Sequence, residues 1–215
     1  MIRIKTKQDV ELRKGFLAGL DLSETNLKGI DLSGEDLTGV NFAYADLREA
    51  NLRDTNLTNA DLFMAEIDGT NLDGALLEKT MMKFASLERA SLLEIKGNGA
   101  NFEGAVLDSA VITGETLSSM NFNSASFEGV DLSGLDLSNC VLIHADLEGA
   151  DLTGTNLTGA QLRHAHLVKA NMTRTNLYKA DLHRANLSDA YLSEANIKGA
   201  FLDKTNIKGT VLDKL

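Results

Sequence analysis

The chain has 215 residues, 43% of them hydrophobic and 24% charged, a composition that supports a folded core and excludes a disordered or fibrous chain. Its formal charge of −10 repels phosphate and weighs against direct nucleic-acid binding. The single cysteine leaves no intramolecular disulfide, and no run of eighteen apolar residues offers a membrane-spanning helix.

The first sixteen residues, MIRIKTKQDVELRKGF, differ in pattern from the remainder of the chain. They contain no apolar run of signal-peptide length, so an unexported, cytoplasmic protein is expected. Thr6 followed by Asp9 resembles a capping box and Gly15 a stop, which predicts a short helix over 7–14 and an N-terminal cap over 1–16.

From there the period is five. Between Leu12 and Leu212 every position numbered in 2 or 7 is Leu, Ile, Phe or Met, with one exception, Gly97. Positions ending in 0 or 5 are mostly Ala or Thr, those in 1 or 6 favour Asp and Asn, and the rest carry charges, Ser, Thr and Gly. Neither the 3.6 period of a helix nor the alternation of a strand produces this pattern. A solenoid does: each pentapeptide makes a short straight side and a turn, the large and small apolar residues face the axis, and coils bond at about 4.8 Å.

The phrases ADLREANLRDTNLTNADL at 45–62 and ADLEGADLTGTNLTGA at 145–160 resemble the pentapeptide repeat proteins. The resemblance covers 17–215 and implies an all-β solenoid, a right-handed four-sided β-helix of about ten coils in which residues twenty apart stack on one side. It also implies a non-enzymatic binding scaffold. Some Qnr-type members bind DNA gyrase as mimics of duplex DNA, so the resemblance offers gyrase or another topoisomerase as a protein partner. Two departures stand against that transfer: the register here carries no loop insertion, and residues 161–215 are basic, with nine Lys and Arg against five acids.

Breaks in the pattern are where function is expected. Tyr44, Met64 and Phe84 recur twenty apart in an outward column, with Phe63 and Met81 beside them, and suggest a partner-binding apolar patch; an N-terminal segment folded over it is the other account. Asp68, Glu88, Asp108, Glu128 and Glu148 recur at the same interval and suggest an acidic row, either a partner surface or a solvated face. At IKGNG, 95–99, two arrangements stay open: a bulged loop, or one irregular side with Ile95 filling the gap.

His144, Asp146, His164 and His166 form a square with zinc-ligand residue types, against which stands plain polar surface. Cys140 falls in the inward small column and reads as core rather than as a reactive thiol. Thr113, Ser133, Thr153, Thr173 and Ser193 form a hydroxyl row with an ice-binding reading. Tyr191, Phe201 and Val211 project near the C-terminus and suggest a homodimer through the last coil. No phosphate-cradling glycine motif and no nucleophile with its base is apparent, so no catalytic residue, no cofactor and no enzyme are expected.

Overall fold

The computed structural model describes residues 6–114 and 117–214, and for Lys214 the backbone alone. The chain forms two compact units, Met1–Gly114 and Glu115–Leu215.

In the first unit, α1 spans Lys7–Glu11, with Thr6 at its N-cap accepting from the Asp9 amide at 3.1 Å. The Thr6 hydroxyl donates in turn to Asp9 Oδ2 at 2.6 Å, so the capping pair is reciprocal. Val10 is buried, Lys7 Nζ donates to the Lys28 carbonyl, and the Gly15 amide donates to Glu35 Oε2, which ties this segment to the first coil. Leu12, counted with the core column by its number, is instead exposed, because it sits at the C-cap of α1 before the repeats begin at Leu17.

The repeats then build a β-helix of twenty-residue turns. Parallel bridges join one residue of each pentapeptide, numbered in 1 or 6, to the one twenty ahead, from Asp21↔Asn41 to Ser86↔Val106, and the side containing Ser91–Leu93 (β1) pairs with Val111–Thr113 (β2) in the same register. Four pentapeptides therefore complete one circuit, and each bridge is flanked by backbone bonds such as Leu22 N–H to the Asn41 carbonyl at 2.8 Å.

The pentapeptide itself explains its composition. In Asn41–Ala45 the Ala45 amide donates back to the Phe42 carbonyl at 2.9 Å and Tyr44 takes φ +59°, the left-handed third position of a type II turn. The Asn41 side chain accepts from the Ala43 amide at 2.9 Å, and the same Asx turn recurs at Asp61, Asn71, Asp131 and Asp151, among others. Asp and Asn are favoured there because only a short acceptor reaches the amide two residues ahead. Threonine in the small column is buried without loss: Thr70, Thr80, Thr155 and Thr175 each donate to a carbonyl of the coil below at 2.7–2.8 Å.

At 95–99 the register holds. Lys96 bridges Leu76, Ile95 is buried, and the arrangement is the irregular side rather than a loop. Gly97 is required there: at φ +149° an added Cβ would lie 2.6 Å from the Leu77 carbonyl carbon.

In the second unit the ladder runs from Asn121↔Val141 to Asn186↔Asn206 and is followed by a 3-10 turn, Val211–Lys214. Its core includes Leu117, Met120 and the pair Phe122 and Phe127, edge to face at 5.2 Å. It ends less completely, since Ile197, Leu202, Ile207 and Leu212 are only half-buried. Both units carry the same twenty-residue ladder.

Candidate functional site

Among the described residues twenty-three non-glycine positions, all numbered in 4 or 9, have φ between +53° and +60°. A side chain at such a position costs on the order of 1 kcal/mol relative to glycine and points away from the core. Whatever occupies it contributes to the surface rather than to the interior. In the first unit, Tyr44, Met64 and Phe84 fill three successive members of this column and are 55%, 43% and 47% exposed.

Phe63 joins them into one patch. Its ring meets Tyr44 edge to face at 5.5 Å and Phe84 at 6.1 Å, with Met81 exposed alongside. Phe84 leans over Gly104, whose lack of a Cβ leaves room for the ring. Lys83 places Nζ 5.8 Å from the Phe84 ring centre while pairing with Glu103 at 3.1 Å. On the next side of the same coils, Arg48 bonds Asp46 at 2.7 Å and Glu66 at 3.1 Å, and its hydrogen bond holds the Asp46 carboxyl below the ordinary carboxylate range. The patch is a continuous aromatic and thioether surface with a charged rim.

The acidic positions are less uniform than their spacing suggests. Asp68 accepts from the Ser86 hydroxyl at 2.5 Å and from the Glu88 amide at 2.9 Å, so it caps the next coil. Glu88 and Glu128 are exposed, Asp108 is half-buried, and Glu148 lies 3.7 Å from His166 Nδ1. Asp68, Glu88 and Asp108 belong to the first unit, Glu128 and Glu148 to the second.

The histidine square does not form. His144 and His164 stack with ring centres 4.8 Å apart, whereas His166 turns to Asp146 at 3.4 Å and to Glu148. Among the described residues no group of three or more His, Cys, Asp or Glu is arranged to hold a metal ion, because each carboxylate is drawn to one imidazole rather than to a common centre. Within the hydroxyl row Thr153 is engaged internally: it donates to Asp151 at 2.5 Å and accepts from Asn171 at 2.8 Å.

Cys140 is buried, its Sγ donating to the Leu117 carbonyl at 3.1 Å in the place threonine occupies elsewhere in the column; burial pushes its pKa up to about 12. Tyr191, Phe201 and Val211 are exposed, as their column requires. One cluster is not apparent from the sequence: Arg163, His183 and Arg184 gather around His164, which only the twenty-residue register makes visible.

Stacked coils with a uniform core and a freely varied outer column define a repeat scaffold. The description "Pentapeptide repeats" matches in eight copies over 17–54, 36–74, 55–92, 121–159, 155–192 and 185–214. The chain belongs to the pentapeptide repeat family, and its likeness to solved members implies a right-handed β-helix. HetL, a pentapeptide repeat protein involved in heterocyst differentiation regulation from the cyanobacterium Nostoc sp. strain PCC 7120, is similar at 28% identity and TM-score 0.67, over 95% of this chain and 94% of that one. QnrB1, a plasmid-mediated fluoroquinolone resistance protein, is similar in fold at 20% identity and TM-score 0.68, over 84% and 87% of the two chains. No curated protein matches the sequence.

Proposed function

We propose that this chain is a non-enzymatic protein-binding scaffold whose contact surface is the Tyr44, Phe63, Met64, Met81 and Phe84 patch with its charged rim. One observation carries this reading: three bulky apolar residues occupy successive left-handed positions where glycine costs less and where none of them is buried. Folding alone gives no reason for them. Similarity to HetL, a protein involved in regulation, supports a role exerted through binding rather than through turnover. Affinity capture with wild-type protein and Phe84→Asp tests it: a partner retained by the first and lost by the second is expected, and equal retention removes the patch from the interface.

A second reading is a duplex mimic that binds DNA gyrase through Asp68, Glu88, Asp108, Glu128 and Glu148. The twenty-residue recurrence of these acids favours it, although Asp68, Asp108, Glu128 and Glu148 are all engaged within the chain, and the likeness to QnrB1 speaks to the fold alone. Supercoiling by gyrase should change on adding wild-type protein and not on adding the Asp108→Lys, Glu128→Lys, Glu148→Lys variant. An inert wild-type protein ends this reading.

The same scaffold reading takes α1 as an N-terminal cap and the repeats as about five coils in each unit, about ten in all. It places the protein in the cytoplasm and pairs two copies through the last coil, where Tyr191, Phe201 and Val211 are exposed beside half-buried Ile197, Leu202 and Ile207. Light scattering that reports a monomer would discard the pairing.

A further inference from the structure

Around His164 the second unit gathers a cluster that the proposed contact surface does not use. His144 stacks on His164 with ring planes 18° apart, and His183 meets His164 edge on with centres 6.3 Å apart. Arg163 and Arg184 both act on His164 electrostatically, and Lys204 follows Arg184 one coil further along the same column. Two carboxylates share this side: Asp181 lies 3.8 Å from Arg163 Nε, and Asp203 lies 3.0 Å from His183 Nδ1. On the adjoining side His166 faces Asp146 and Glu148 and takes no part.

The balance of charge here is opposite to that of the chain. Three permanent cations, Arg163, Arg184 and Lys204, face two carboxylates, a surplus of one, with the imidazoles of His144, His164 and His183 standing among them. Arg184 and Lys204 have no carboxylate within ion-pair distance among the described residues, whereas Arg163 lies 3.8 Å from Asp181. Beside them an exposed Phe201 and the Arg163, Asp181, His183 and Asp203 side chains line a shallow depression. Unpaired guanidinium and ammonium groups next to stacked imidazoles form a surface that an anion would complete.

We propose that this face of the second unit binds a small multivalent oxyanion of the phosphate type, seated over His164 among Arg163, Arg184 and His183. The ligand is small for two reasons. The column from His144 to Lys204 spans three coil steps, about 14 Å, and the chain's charge of −10 repels a long polyanion beyond that window. Binding takes up protons. Partial burial and then the positive charge of His144, Arg184, His183 and Arg163 oppose protonation of His164 in the free protein. A bound anion offsets that repulsion, so affinity rises as pH falls.

Calorimetry with cyclic trimetaphosphate tests the proposal, because this probe has no titrating group between pH 5 and 8. Binding at pH 5.5 should be at least about tenfold tighter than at pH 7.5, with proton uptake visible as a buffer-dependent heat. Arg184→Gln should weaken binding about tenfold at both pH values. His164→Asn, suited to the left-handed backbone, should abolish most of the pH dependence. Lys79→Gln in the first unit should change nothing, and circular dichroism confirms that each variant folds. Affinity independent of pH, or unchanged in Arg184→Gln, overturns the proposal, as does a single-stranded oligonucleotide that binds tighter than trimetaphosphate. The proposal stands on the second unit alone, so its failure leaves the apolar patch untouched.

Discussion

The two units use the same turn position for opposite chemistry. In the first, the column holding Tyr44, Met64 and Phe84 is apolar; in the second, the corresponding repeat position holds His144, His164 and Arg184. Behind both columns the interior is the same, with Leu, Phe or Met beneath and Ala beside it. The contrast teaches that stability and surface chemistry are carried by different residues of each pentapeptide, so the outer position can change character without a change in fold.

If that separation is real, the core positions should behave alike in both units. Leu62→Ala and Leu162→Ala each remove a fully buried side chain from a closely packed coil and should each cost about 3 kcal/mol, read from denaturant midpoints. A silent substitution in either unit would break the equivalence. Glycines should separate by their surroundings. Gly97→Ala meets backbone of the neighbouring coil at 2.6 Å and should cost on the order of 3 kcal/mol, while Gly154→Ala, at φ +68° with no atom within 4 Å, should cost about 1 kcal/mol.

The outer column should respond in the other direction. Met64→Gly relieves a left-handed methionine and removes an exposed side chain, so it should raise stability by up to about 1 kcal/mol while weakening capture of any partner held by the patch. A loss of stability instead would mean that the patch serves the fold.

Much of this architecture is legible in the five-residue period. The core columns follow from counting, and the twenty-residue register that brings Tyr44, Phe63, Met64 and Phe84 together is what the resemblance to the pentapeptide repeat family implies, because stacked parallel coils place residues twenty apart one above the other. Side-chain choices do not. Asp68 turning to a backbone amide, or His144 stacking on His164 while His166 turns to Asp146, depends on rotamers that spacing does not determine. The division between units is also hidden by the unbroken register. Leu12 misleads because its number fits the period while its backbone belongs to the end of α1.

The smallest expected effect concerns pH. All four histidines lie in the second unit, whereas in the first the hydrogen-bonded carboxylates Asp31, Asp36 and Asp46 have pKa values below their usual 3.8 and stay ionised well into acid. Lowering pH from 7.5 to 5.5 should therefore leave the first unit unchanged. In the second, His164 has a folded pKa below its unfolded 6.5, held down by partial burial and then by neighbouring positive charge. The unfolded chain then binds the proton more readily, and stability falls as pH drops through 6.5 towards the lowered value. Hydrogen exchange resolved by unit should show this loss in the second unit only, smaller in His164→Asn than in wild type. Equal loss in both units, or an undiminished loss in the variant, would place the titration somewhere other than the stacked imidazoles.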